Sequence, residues 1–453
     1  MKNVMLSTTC LTNGVKLKIK LFLLVLLLIS FAGMKAQTSY TWRAVSTNSS
    51  WATTSNWTPV GTPVAGDHVV IVASNNTPVY NGVALGNFTL TSGAIDLGGN
   101  TLTINGNAVF TAGNVNNGNV LCQGTATTFT NATFSGKVTS TTSNVLINGG
   151  VFNDSVSITK TGATDQTMNG NATFNAPLSL RITANGRIWI NGGMTLNGVA
   201  NIHNSGLDNF ILDRLSTNNY NNDLHFTIAG NNNGDINIGF AVPATINGDV
   251  YVNSISGTGD IWFATGVSSS VTLGAGKRLY IGSNGFNSGN LRLQRFIQSD
   301  ATAQSLTLTG TANLHLGPSS SFGGKVNFSS PQIMLSGTTF ADSATITKTG
   351  VTTNTGLGNN IFNGVAIINK TGTGILRTNG GNTFNDKLII NNSSTTEIAL
   401  AFVSGDTHNG DVVINKTAAG TVRMAYAGAN TFGGDVTVSN SATGNVLFGE
   451  LAN

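Results

Sequence analysis

Charge, cysteine, proline and glutamate are scarce in this chain, and each scarcity excludes something. Only 9% of the 453 residues are charged and seven are proline. Of the two cysteines, Cys10 lies in an N-terminal leader, so Cys122 is left alone and no internal disulfide framework is available. The surrounding VLCQGTAT offers Cys122 no positive neighbour, so it reads as a small core residue rather than a reactive thiol. Beyond the leader only Glu397 and Glu450 are glutamates, and the aspartates are mostly scattered singly. Sugar-bond hydrolysis wants two carboxylates converging within about 5–9.5 Å, and this pattern does not announce them. His68, His203, His225, His315 and His408 are far apart, without the paired spacing of a zinc site. A nucleophile elbow and a phosphate loop are both missing. The expectation is a non-catalytic chain with no cofactor and no metal.

Helical periodicity is also missing outside the leader. Residues 1–36 read as a signal peptide. Lys16, Lys18 and Lys20 precede the apolar run LFLLVLLLISF, which is too short for a comfortable membrane span and exits through AGMKAQ, with cleavage placed after Ala36. A retained N-terminal anchor is the alternative. Five of the 22 basic residues fall in this leader, which has no acid, so the mature chain carries 17 basic against 18 acidic groups. Nothing in that balance suggests nucleic acid as a partner, and the mature chain shows no transmembrane segment.

What the chain has in quantity is glycine (56 residues), threonine, asparagine and serine, with 40% hydrophobic content that argues against disorder. It also has a repeated phrase. FNGVAIINKTG at Phe362 returns as FNDSVSITKTG at Phe152, FADSATITKTG at Phe340 and HNGDVVINKTA at His408. Phe340, Phe362 and Phe384 are 22 residues apart, and His408 and Phe432 follow at steps of 24. Phe134, Phe152 and Phe174 repeat the spacing of Phe322, Phe340 and Phe362, and residues 134–174 share 18 identities in 41 positions with 322–362. The block 134–213 is thus duplicated as 322–401.

A period near 22 suits one coil of a solenoid, and short β-branched runs closed by Lys-Thr-Gly, Asn-Gly or Gly-Gly are strand and turn signals. The predicted fold is all-β, a parallel β-helix or β-solenoid over 96–453, preceded by a Trp-rich capping region at 37–95 and continuing beyond the chain end. One coil cannot bury its inward face alone, whereas stacked coils share a core, and strands about 4.8 Å apart would give roughly 16 coils and a rod of roughly 75 Å. Phenylalanines at one phase should form an inward stack. Residues 197–321 lose the strict phase, which predicts longer corners, with LSTNNYNNDLHF (215–226) as a protruding loop.

Several residues invite sharper readings. Trp42, Trp51 and Trp57 suit either a cap over the open first coil or aromatic platforms for glycan contact. Asp249, Asp411 and Asp435 sit in NGD or GGD turns, a corner-capping role, while Asp208, Asp213 and Asp223 mark the alternative place for an active site on the irregular face. NNNGDINIG (231–239) clusters oxygen ligands but lacks the calcium nonapeptide period. Thr-x-Thr pairs, as in TLTI and LTLTG, raise ice binding but do not keep a fixed phase. Lys160, Lys348, Lys370 and Lys416 follow the strand in each KT(G/A) phrase and predict a sparse ladder of charge on one edge, serving solubility and resisting sideways strand pairing.

The leader ending in KAQ, the W-x8-W-x5-W segment running into PVAGDHVVI, and the Gly/Asn/Thr-rich coils resemble large surface and secreted β-strand-repeat proteins of Bacteroidota. The resemblance implies secretion or outer-surface placement and an adhesin-like or scaffold role, with surface glycans or other cell-surface proteins as partners. Family members using type IX secretion end in a sorting domain, which is not visible here and fits an N-terminal fragment. The family also attaches O-glycans at Asp-Ser/Thr before an apolar residue, a pattern matched by Asp154-Ser155-Val156 and Asp342-Ser343-Ala344, which would make Ser155 and Ser343 acceptors. The expected function is an exported structural or adhesin-like solenoid. A carbohydrate-active β-helix enzyme and a glycan-binding module built on the tryptophans are the alternatives.

Overall fold

Phe134, Phe152 and Phe174 stand directly opposite one another in parallel register, as do Phe322, Phe340, Phe362 and Phe384. A computed structural model, describing residues 37–230, 234–356 and 358–449, shows why. The chain winds into a parallel β-solenoid of about 17 turns with almost no helix, a single 3-10 turn at Thr54–Asn56 being the exception among the described residues.

Each turn contributes a strand to each of three faces. In the repeat phrase, Gly150–Phe152 lies on the first face, Val156–Lys160 on the second and Gln166–Met168 on the third, before Ala172–Phe174 returns to the first one coil later. Strands pair with their equivalents in the next coil, so backbone groups are satisfied between coils rather than within them. Inward residues alternate along every strand. In Ala366–Lys370 the buried positions are Ala366, Ile368 and Lys370, while Ile367 and Asn369 face outward.

The inward stack of phenylalanines is present. Phe152 and Phe174 are 4.8 Å apart and 4° from parallel, and the rings of Phe340, Phe362 and Phe384 continue at 4.7 and 4.9 Å. Each is 0–2% exposed. Burying a side chain of this size contributes about 1.5–3 kcal/mol. His408 occupies the next place, stacked between Phe384 and Phe432 at 5.1 and 4.9 Å. Gly358 and Gly380 turn one corner in successive coils with φ of 80° and 92°, and a Cβ on Gly358 would lie 1.9 Å from the Gly380 carbonyl oxygen. Only glycine fits there.

The irregular middle keeps its phase in space. The phenylalanine column passes through Leu196, Tyr220, Ile246, Leu273 and Gln298 without interruption. The numbering between neighbours stretches to 24–27 because corners lengthen and because the strand Leu279–Phe286 bulges against Val250–Ser254. Residues 215–226 therefore do not form a protruding loop. Asn219–Tyr220 and Leu224–Ile228 are strands in register on both sides, with Tyr220, Leu224 and Phe226 buried, and only 215–217 form an exposed turn.

The lysine ladder also differs from expectation. Lys160, Lys348, Lys370 and Lys416 have no exposed surface. They share a column inside the solenoid, in which Ser330, Lys348, Lys370, Asn392, Lys416 and Asn440 follow one another in register. Three of the ammonium groups donate to corner carbonyls: Lys160 Nζ to Gly162 O and Gly186 O, Lys348 Nζ to Gly350 O (3.0 Å) and Pro331 O (3.2 Å), Lys370 Nζ to Gly372 O (3.0 Å) and Thr396 O (3.1 Å), whereas Lys416 Nζ donates to Asn440 Oδ1 at 3.3 Å. Lys-Thr-Gly leaves carbonyls pointing into the core, and a buried carbonyl without a donor is costly. The long side chain supplies that donor. Where lysine is replaced, Asn392 does the same through Nδ2 to Thr396 O and Gly420 O at 3.1 and 3.2 Å.

Candidate functional site

At the N-terminal end, Trp42 and Trp57 are fully buried and Trp51 is 1% exposed. Trp57 meets Trp42 edge-on at 4.9 Å and Trp51 at 4.7 Å, and its Nε1 donates to Trp51 O at 2.8 Å. Ser39–Trp42 pairs in parallel with His68–Ile71 and in antiparallel register with Trp57–Thr58. The three indoles pack on one another and on Tyr80 rather than presenting an open face to a sugar ring.

Ser155 and Ser343 take equivalent corner positions, each half-buried and each with its backbone N–H bonded to the preceding aspartate, at 2.5 Å from Asp154 Oδ1 and 2.6 Å from Asp342 Oδ1. Other corner aspartates cap the coil above. Asp223 Oδ1 accepts from Asp249 N, Asp249 Oδ1 from Arg278 N and Asp411 Oδ1 from Asp435 N, at 2.8–3.1 Å. Asp208, Asp213 and Asp223 do not share a partner. Asp208 holds Gly186 N, while Asp213 is wholly buried and held by Asn218, the Tyr220 hydroxyl and Gly239 N. Burial pushes the Asp213 carboxyl up to about 6. Of NNNGDINIG, 231–233 lie outside the described residues, and Asp235 again caps, through Oδ1 to Asp260 N. Among the described residues no three His, Cys, Asp or Glu gather as a metal site, and no helix is long and apolar enough to cross a membrane.

Two outward strips in the middle coils gather aromatic and ionisable side chains. On the second face His225, Tyr251 and Tyr280 stand in register and stack at 4.5 and 5.1 Å. Burial holds His225 below its ordinary range. The ring faces are turned against one another, which leaves edges to solvent.

On the third face Trp262, Arg292, His315 and Met334 follow in register. The Arg292 guanidinium lies 4.7 Å over the Trp262 ring, donates through Nε to Asp260 Oδ2 at 2.5 Å, and brings Nη1 to 3.5 Å from His315 Nδ1. An arginine can only donate, so His315 accepts at Nδ1 and carries its proton on Nε2. Burial, reinforced by Arg292, lowers His315 to about 4, so the ring is neutral at physiological pH. Beside these groups a depression of about 240 Å³ opens between Arg292, Gln294, His315, Pro318, Met334 and Ser336. Asp235 stands one coil below Asp260, and burial raises its carboxyl.

Sequence reading missed this cluster because its members lie up to 74 residues apart, from Asp260 to Met334, within coils that do not repeat. The usable signal was outward parity: Trp262, Arg292 and His315 each sit between two buried positions of a short strand.

Fold and site together define a three-faced parallel β-solenoid with an aromatic and basic strip on its middle coils. No protein-family model, curated protein or solved structure matches the chain.

Proposed function

We propose that the chain is a non-catalytic structural rod, exported to the cell exterior, that holds an adhesive outer face away from its attachment. The supporting observation is where its few ionisable groups go. Corner aspartates engage backbone N–H groups of the next coil, Lys348 and Lys370 engage corner carbonyls and Lys416 engages Asn440 of the next coil, so charge serves to stack coils. Secretion and adhesion follow from the leader and from the resemblance given above. Small-angle scattering of the protein lacking its leader should give an elongated particle, and surface display should confer attachment that deletion of the coils removes. A compact particle, or attachment unchanged by the deletion, refutes this reading.

A second reading, a carbohydrate-active enzyme, is favoured by the Asp235, Asp260, Arg292 and His315 cluster, two carboxylates with a basic group beside them. Against it, Asp260 Oδ1 accepts from Asn290 and Oδ2 from Arg292, so neither oxygen is without a partner. Incubation with acidic and neutral polysaccharides distinguishes the two: new reducing or unsaturated ends that vanish in Asp260→Asn establish the enzyme, and their absence the rod.

A further inference from the structure

We infer that the depression beside Arg292 and His315 is a binding site for a single carboxylated sugar ring. Its size sets the first limit. About 240 Å³ lies below the roughly 300–1,000 Å³ of drug-sized sites, so it takes one ring rather than an extended chain. Its chemistry sets the second. Asp260 occupies Arg292 at Nε, and Trp262 covers one face of the guanidinium, which fixes the plane of the fork. Nη1 gives one hydrogen to His315 Nδ1, so Nη2 and the second Nη1 hydrogen are aimed by the neighbours rather than by the ligand, and a planar fork matches a carboxylate.

Charge allows no more than one negative group. Asp260 already balances Arg292 and His315 is neutral, so a carboxylate is held by hydrogen bonds from the fixed fork rather than by net positive charge, and a second negative group would find no such donor. His315, which lines the depression, keeps Nε2 as a buried donor with no partner, which a structure tolerates where a ligand or ordered water completes it. Pro318 and Met334 offer apolar surface for ring C–H groups, and Gln294 and Ser336 offer polar ends for hydroxyls. The combination of fixed guanidinium, apolar floor and peripheral amide and hydroxyl describes a carboxylated ring better than a bare anion.

This inference names the ligand of the adhesive face and so rests on the rod reading. The two fail separately, because rod shape is read by scattering and this site by binding. The test titrates the leaderless protein with D-glucuronate, D-glucose and acetate, followed by calorimetry or ligand-observed NMR. Glucuronate should saturate at a Kd of about 1 mM or tighter, with glucose and acetate at least tenfold weaker. Because Arg292→Gln alone strands the Asp260 carboxylate, the double variant Arg292→Gln/Asp260→Asn is used, with Gln294→Ala as a milder change at the rim. Both should keep the strand-type circular dichroism, the double variant losing at least tenfold in glucuronate affinity and Gln294→Ala about threefold. No saturable glucuronate binding, equal binding of glucose, or undiminished binding by the folded double variant overturns the inference.

Discussion

Lys348 and Lys370 lie directly opposite each other in adjacent coils, both without exposed surface and neither facing a carboxylate. Burial lowers both to about 8, and Lys348 adds to the effect on Lys370. Lys160 differs, since Asp165 and Asp208 oppose the burial that lowers it.

The pH dependence follows from these values. A lysine titrating near 8 when folded and near 10.4 when unfolded binds fewer protons in the folded state between those limits, so stability rises with pH through that window. Below pH 8 both states are protonated and the penalty is constant. The unfolding free energy of wild type minus that of Lys370→Met should therefore climb from pH 8 to 10.5, by up to about 1.4 kcal/mol per pH unit. Urea melts across that range measure it, and a flat difference would show that the ammonium is not desolvated.

Phe362 is stacked on both sides, by Phe340 and Phe384, and is 2% exposed. Phe362→Ala should lose about 3–5 kcal/mol, and Phe362→Leu distinctly less, because Leu196 and Leu273 already occupy the same column in other coils. Chemical denaturation resolves the pair. Similar losses for both would mean that the column is held by ring stacking rather than by filled volume.

The phenylalanine column was legible in the sequence because a ring large enough to dominate its layer recurs at a fixed period. Lys370 was misplaced because a terminal charge was weighed above strand parity. Ala366, Ile368 and Lys370 share the inward parity, and the phrase itself carried that signal. The 197–321 coils looked irregular because insertions fall in corners, where length is free, and in the bulged strand Leu279–Phe286, while Tyr220, Ile246 and Gln298 hold the register by position rather than by residue type. The Arg292 cluster was illegible for the complementary reason. Its members become neighbours only once the coil lengths between them are known.

His408 and Asp406 act against each other on pH. Burial lowers His408 to about 4, so the unfolded chain holds the extra proton between about 4 and 6.5 and stability rises with pH there. Burial raises Asp406 to about 7, so the folded chain holds the extra proton between about 4 and 7 and stability falls with pH there. Relative to wild type, His408→Phe should fall in stability from pH 4 to 6.5, and Asp406→Asn should rise from pH 4 to 7. Asp406→Asn should also gain about 1–3 kcal/mol above pH 7. Asp406 Oδ2 is buried without a partner, and the flanking Asn360, Asn382 and Asn430 form a ladder that an amide would continue. Parallel curves for the three proteins would refute both assignments.

Trp57 gives the last prediction. It touches Tyr40, Trp42 and Trp51 and bonds the Trp51 carbonyl, and the strand it begins pairs with the first strand of the described chain. Truncation to Ala removes the middle indole of the cluster and leaves Trp42 and Trp51 facing a cavity, at a cost of about 3–5 kcal/mol. In a stacked array each coil leans on its neighbour, so the loss should stay local. Hydrogen exchange in Trp57→Ala should accelerate in residues 39–110 and remain at wild-type rates in the strands around Phe362. The glucuronate affinity of the middle coils should not change. Uniform acceleration along the whole chain would mean that the tryptophan cluster governs folding of the entire rod rather than closing one end of it.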